Sequence, residues 1–202
     1  MNIVVAVRCY NEEKNIDRFM RGYDFADTIV VSDGGSTDRS VEMLKQYPKV
    51  KLIHFDHYIE VDGHRWNEDS PHMNFVLDMA TTLNPDWLIF DDMDCCPNAL
   101  LRQDARAFLQ GCGHPQMNAF RLYMWGEDQF FPHLNREFEP SFASLWAWKP
   151  GELNIYADTS LRHGTLIGVL DDNVHRLPVP YCLLHKSYSP ETIDAKLKRY
   201  NA

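Results

Sequence analysis

The sequence predicts an α/β domain whose sheet is mostly parallel and flanked by helices. Three observations carry this expectation. Strand-sized apolar runs recur at 2–7, 28–31, 51–55 and 87–90. Between them lie segments whose apolar residues fall at helical spacing, and several of the strands end in turns rich in acid, Asn or Gly. Strands alternating with helices join through right-handed crossovers, which cover both faces of a parallel sheet. Ligands of such sheets gather at the carboxyl ends of the strands.

The elements follow in order. After the first strand, 12–21 reads as an amphipathic helix with Ile16, Phe19 and Met20 on one face and Gly22 as its stop. Strand two ends in Asp33-Gly34-Gly35-Ser36-Thr37-Asp38, where Ser36 or Thr37 is expected to cap a helix marked by Val41, Met43 and Leu44 and closed before Pro48. Strand three is followed by a polar loop, 57–70. Pro71 then suits the first turn of a helix whose apolar face is Phe75, Val76, Met79, Ala80 and Leu83. Asn84-Pro85 ends it, strand 87–90 follows, and Pro97 stands where another helix would begin. The second half is less regular. It offers strand candidates at 117–125, 145–148, 166–170 and 179–184, a long aromatic and acidic loop at 126–140, and a last amphipathic helix at 190–200. Trp146 and Trp148, two apart, are expected on the same side of their strand, packed in the core.

Composition limits the partners. The 202 residues contain 29 Asp and Glu against 20 Lys and Arg, a net charge of −9. Non-specific nucleic-acid binding rests on cationic counterion release, so this charge disfavours nucleic acid. The apolar runs fall far short of the roughly 20 residues that span a bilayer, and the amino terminus opens on a strand pattern without the layout of a secretion signal. Five cysteines, odd in number and without a CxxC pair, suit reduced thiols and a cytoplasmic location.

The strongest chemical signal is Trp87-Leu88-Ile89-Phe90-Asp91-Asp92-Met93-Asp94, an apolar strand ending in clustered carboxylates. Three acids in four residues repel one another unless a cation lies among them, and oxygen ligands of this kind suit Mg²⁺ or Mn²⁺. Asp91 is the weakest member, because strand alternation turns Asp92 away from its neighbours. The Asp33-Gly34-Gly35 turn permits close backbone approach of a ligand, and Arg8-Cys9-Tyr10-Asn11-Glu12-Glu13 leaves strand one at the same edge.

Asn11-Glu12-Glu13, the 33–38 turn and Asp92-Met93-Asp94 together resemble the family 2 glycosyltransferases, whose GT-A fold is a Rossmann-like sheet binding a nucleotide-sugar and a divalent metal. His72-Met73-Asn74-Phe75-Val76-Leu77-Asp78 is similar to that family's helix ahead of the acidic strand. Leu184-His185-Lys186-Ser187-Tyr188-Ser189 and Lys198-Arg199-Tyr200 look like the carboxyl-terminal pattern of its lipopolysaccharide-core type members. The resemblance implies a single GT-A-like domain over 1–202, with 1–110 as the nucleotide-sugar and metal half and 111–202 as the acceptor half. It implies a hexosyltransferase-like enzyme, dependent on Mn²⁺ or Mg²⁺, that moves a sugar with inversion from a nucleotide-diphosphate sugar to a hydroxyl acceptor (glycan, lipid-linked or other).

Carried over by residue, the resemblance implies that Asp33 contacts the nucleobase and Glu12 the base or ribose region, with Arg8, Asn11 and Gly34 lining the same nucleotide-sugar site. Asp92 would contact ribose or metal-bound water, and Asp94 would ligate the metal with His185. The pattern departs from the family in two places. Cys95-Cys96 stand where an acid often follows, and His72-Met73 stand where a Lys or Arg is common, so Arg65 or His64 would supply phosphate charge. Inversion requires a general base for the acceptor hydroxyl. Asp128, in the aromatic loop, is placed first and Asp158 second, ahead of Glu127, Asp171 and Asp172. Two other readings use the same acids: a nucleotidyltransferase or other metal and diphosphate enzyme, and a non-catalytic nucleotide-sugar binding module. The first would carry a glycine-rich basic loop near strand one, which Arg8-Cys9-Tyr10-Asn11-Glu12 does not supply.

Overall fold

A computed structural model describes residues 1–56, 59–61, 64–66, 69–125, 129–130, 144–159, 166–170 and 172–188. The strands are β1 (Ile3–Cys9), β2 (Thr28–Asp33), β3 (Val50–His54), β4 (Ile59–Val61), β5 (His64–Trp66), β6 (Trp87–Asp92), β7 (Cys95–Pro97), β8 (Gln116–Trp125), β9 (Gln129–Phe130), β10 (Ser144–Trp148), β11 (Tyr156–Ala157), β12 (Leu166–Ile167), β13 (Val174–Arg176) and β14 (Cys182–Tyr188). The helices are α1 (Ile16–Gly22), α2 (Ser40–Leu44), α3 (Asp69–Thr81) and α4 (Ala99–Gly111). Strand order in the main sheet is β3-β2-β1-β6-β10-β8-β14-β7, with β9 and β13 also paired to β8.

The first four strands of that order are parallel, as the βα alternation predicts. Beyond β6 the sheet becomes mixed. β10 runs antiparallel to both β6 and β8, β14 runs parallel to β8, and β7 is antiparallel to β14.

Strand alternation sorts the core into two clusters. Ile3, Val5, Val7, Ile29, Val31, Trp87 and Ile89 pack with α1 and α4, while Val4, Ala6, Val30, Leu88 and Phe90 pack with α3. The inward face of α3 is Met73, Val76, Leu77 and Ala80. This corrects the face expected from sequence, since Met79 is exposed. The roll also buries His72, whose ring stacks on Phe55 at a centroid distance of 4.3 Å. The two tryptophans are core residues, but not on one side. A register shift in the β10–β8 ladder falls between Leu145 and Ala147, so Trp146 and Ala147 join one cluster and Trp148 the other.

Two helix starts differ from expectation. α2 begins at Ser40, whose N–H donates to Asp38 Oδ1 at 2.9 Å, so neither Ser36 nor Thr37 caps it. Pro97 closes β7, and Asn98 caps α4 by accepting from the Leu101 N–H at 2.9 Å. Segment 57–70 contains the β4–β5 hairpin and the first residues of α3. The expected helix at 190–200 and most of the 126–140 loop lie outside the described residues.

Gly22 sets the distance between α1 and β7. A Cβ there would stand 2.7 Å from Cys96 Cβ and 3.4 Å from Pro97 Cδ. Helix propensity alone favours Ala over Gly by about 1 kcal/mol, but overpacking of this kind costs about 1–3 kcal/mol. Gly22→Ala is therefore expected to lower stability in urea melts; a gain in the midpoint would refute the close packing of α1 on β7.

Candidate functional site

The carboxyl ends of β1, β2 and β6 lie side by side, with Cys9 opposite Asp33 and Arg8 opposite Asp92 in the ladders. The loops that follow β1 and β2 are stapled together. Asn11, at φ 55°, accepts through Oδ1 from the Thr37 N–H at 2.7 Å and the Asp38 N–H at 3.3 Å. Its own N–H donates to Ser36 Oγ at 2.9 Å, and the Glu12 N–H donates to Ser40 Oγ at 2.8 Å. Asn11, expected from the resemblance at the nucleotide, thus spends its side-chain oxygen on the shape of the loop pair.

Asp33 is buried and organises its own turn. Its carboxylate accepts from the Gly35 N–H at 2.9 Å and the Ser36 N–H at 3.1 Å, while Gly35 takes φ 88°, a value that favours glycine. The Gly34 N–H donates to the Cys9 carbonyl at 2.9 Å. Glu12 accepts from Asn15 Nδ2 at 2.6 Å. Burial, and then the negative charges of Asp33 and Glu12, push the Cys9 thiol up to about 12. Cys9 is therefore a neutral floor beneath two carboxylates that share one corner.

The acidic strand end divides in two. Asp91 is fully enclosed: Tyr23 donates to its Oδ2 at 2.5 Å and Arg121 to its Oδ1 at 3.1 Å. Burial raises the Asp91 pKa, against the opposing pull of Arg121. Asp92 faces outward between two guanidiniums, with Arg8 at 3.2 Å and Arg121 at 3.9 Å. Arg121 and Tyr23 are absent from the sequence expectations. An arginine inside the apolar strand Met117-Asn118-Ala119-Phe120-Arg121-Leu122 is itself a signal, because a charge in such a strand needs a partner.

Asp94 follows the turn. Its carbonyl accepts from Arg18 Nη2 at 2.7 Å and from the Lys186 N–H at 2.9 Å, which fixes the residue from α1 and β14 together. The β14–β7 register sets His185 opposite Cys95, and His185 Nε2 lies 3.3 Å from Asp94 Oδ1. Asp94, Cys95 and His185 each offer a donor atom within 4.8 Å of the others. Burial, then the Asp91 charge, raises the Cys95 thiol well above its ordinary value. The Asp94 carboxylate and His185 imidazole are donors that fit a Mn²⁺-class ion. Cys95 and Cys96 depart from the acid common in the resembled family because they form a buried strand that carries β14.

The other candidates are less central. Asp158 is half-buried and its carbonyl accepts from Ser70 Oγ at 2.6 Å, beside the first turn of α3. That turn is at the same sheet edge, since His72 Nε2 lies 2.8 Å from Ser32 Oγ. Arg65 falls on β5, and its side chain lies outside the described residues, as do Asp128, Glu127 and Asp171; Asp172 is exposed.

Residues 4–103 match the family model described as glycosyl transferase family 2. No curated protein matches the chain. Among solved structures it is similar to S. aureus TarS 1–349, with 17% identity and a TM-score of 0.62 over 93% of this chain and 61% of that one. It is also similar to TarS 1–349 in complex with UDP, with 17% identity and a TM-score of 0.61 over 92% of this chain and 60% of that one. The complex of TarS 1–349 with UDP-GlcNAc gives 16% identity and a TM-score of 0.63 over 96% and 61%. The chain thus spans 61% of the length of TarS 1–349. At these identities the likeness establishes the fold, a mixed α/β GT-A-like architecture.

Proposed function

We propose that this chain, a glycosyltransferase by the family 2 domain at residues 4–103, moves a sugar from a nucleotide-diphosphate donor to a hydroxyl acceptor with inversion, helped by Mn²⁺ or Mg²⁺. The observation that carries the reading is the Asp94–His185 pair at 3.3 Å, set beside the strand ends that hold Asp33 and Asp92. Solved neighbours hold UDP and UDP-GlcNAc, which supports a uridine diphosphate sugar as donor. In this scheme 1–110 is the donor half and 111–202 the acceptor half of one domain. The lipopolysaccharide-core-like pattern at 184–189 supports a glycan acceptor of that type. No helix among the described residues is long and apolar enough to cross a membrane, and all five cysteines are free thiols, which supports a cytoplasmic setting.

Each residue then has a task. Asp33, whose turn is preset by its own backbone, and Glu12 bind the nucleoside; Gly34 allows close approach, and Arg8 and Asp92 hold the ribose and phosphate side, with Arg65 adding cationic charge. Asp94 and His185 hold the cation. When bound, that cation supplies Lewis-acid stabilisation of the charge gathering on the leaving diphosphate. Asp128 and Asp158 are the residues proposed to take the proton of the acceptor hydroxyl as it attacks the anomeric carbon.

Thermal shift with UDP-, GDP-, CMP- and dTDP-sugars, each with and without Mn²⁺, tests the donor site. A ligand that binds only the folded state stabilises it by about 2.7 kcal/mol at a hundredfold excess over Kd. The expected result is a melting shift with UDP-sugar plus Mn²⁺ that exceeds the sum of the two alone. The reading fails if no nucleotide-sugar moves the melt in the presence of metal.

A further inference from the structure

A second pair of histidines lies at the opposite end of the sheet. His114 belongs to the connection between α4 and β8, and His175 to β13, whose parallel pairing sets His175 beside Met117. Their rings stand 6.3 Å apart between centroids, inclined at 31°. Both are half-buried. Through β10, this end of β8 aligns with Leu88 near the start of β6, four residues from Asp92. Four strand residues span about 13 Å, so the pair is separate from Asp94 and His185.

The local geometry prepares His114 as a ligand. Its Nδ1 lies 2.9 Å from the side-chain oxygen of Asn173, an acceptor, so the Nδ1–H donates, and in the neutral ring Nε2 then carries the lone pair. A ligating histidine commonly gives its other N–H to an oxygen in this way, which fixes tautomer and ring direction. Asn173 sits at φ 58°, a left-handed turn that ends immediately before Val174 and His175. The neighbouring strand segment is pinned too, since the Leu170 N–H donates to Gln116 Oε1 at 2.8 Å and Gln116 Nε2 returns a bond to the Leu170 carbonyl at 3.1 Å.

The separation is also right for sharing an ion. With a metal–nitrogen bond of about 2.0–2.1 Å, a ring centroid lies about 3.2 Å from its metal, so two rings on one ion have centroids up to about 6.4 Å apart. A tetrahedral angle brings them to about 5.2 Å, within side-chain rotation of the 6.3 Å seen. We propose that His114 and His175 form a binding site for a borderline divalent transition metal such as Zn²⁺, completed by water and independent of the donor site. Two imidazoles favour Zn²⁺ over Mn²⁺, whereas the Asp94–His185 pair includes a hard oxygen donor. Bound metal would cross-link the α4–β8 connection to β13.

The test is a Zn²⁺ titration of the full chain followed by the histidine ring signals in ¹H–¹³C NMR, alongside calorimetry. The expected result is that His114 and His175 shift together on adding Zn²⁺. His114→Gln and His175→Gln should each lower Zn²⁺ affinity at this site at least tenfold while leaving the metal-free melting temperature and the UDP-sugar plus Mn²⁺ shift in place. Asp94→Asn should leave the response of these two rings intact. The proposal is overturned if neither ring responds to Zn²⁺, or if only one does, or if both glutamine variants retain the same affinity at this site. Loss of the UDP-sugar response alone would count against the donor site and not against this one.

Discussion

Asp94→Asn is expected to lower sugar transfer by about 10²–10³-fold, in line with the loss of one preorganised electrostatic contributor to a developing anion. The same variant should lose the Mn²⁺-dependent part of the UDP-sugar thermal shift while keeping most of its own stability. The carbonyl of Asp94, which holds Arg18 and the Lys186 N–H, survives the exchange. Only the carboxylate facing His185 is changed. A base variant should behave differently: Asp158→Asn, if Asp158 takes the acceptor proton, would lower kcat and leave the donor shift whole. An Asp94→Asn protein that keeps both its Mn²⁺-dependent shift and its rate would move the cation away from β7 and β14.

Arg121→Met should cost about 3–5 kcal/mol at pH 7, because removing one partner of a buried pair leaves the other charge uncompensated. The charge left behind is Asp91, enclosed and bonded to Tyr23. Its response to pH has a definite sign. Burial already raises its folded pKa, and Arg121 is the main influence pulling it down. Without Arg121 the folded pKa rises further above the unfolded value, so the folded state binds the extra proton. Stability is then retained below the unfolded value near 3.9 and lost as pH climbs through the raised folded pKa. Urea melts of Arg121→Met should therefore show the deficit growing from pH 4 to pH 7. Adding Asp91→Asn should flatten that dependence, and a deficit independent of pH in the single variant would refute the assignment of Asp91 as the stranded group.

These two predictions mark what the sequence makes legible. Asp33, Asp92 and Asp94 stand out because each follows an apolar run within a few residues, so strand ends can be located by local pattern. The amino-terminal parallel strands are legible for the same reason. Arg121 and Tyr23 belong to the same acidic cluster but lie 30 and 68 residues from Asp91, and only tertiary packing brings them there. His185 was marked by its surroundings in the chain, whereas its place opposite Cys95 depends on β14 entering between β8 and β7. The α3 face and the split of Trp146 from Trp148 escaped for another reason. A helix can roll and a ladder can slip by one residue with no change in local spacing, and the choice is made by what must be covered.

The insertion of β14 also bears on synthesis. β1, β2, β3, β6 and Asp94 all lie within the first 94 residues, but the histidine that faces Asp94 arrives 91 positions later. Pairings of such long sequence separation form late, because their loop-closure entropy must be met before the contacts reward it. A nascent chain can thus assemble the corner that holds Glu12 and Asp33 before it owns the Asp94–His185 pair. Under the proposed function, incomplete or nicked chains would bind donor without transferring its sugar, because β14 alone brings His185 to Asp94.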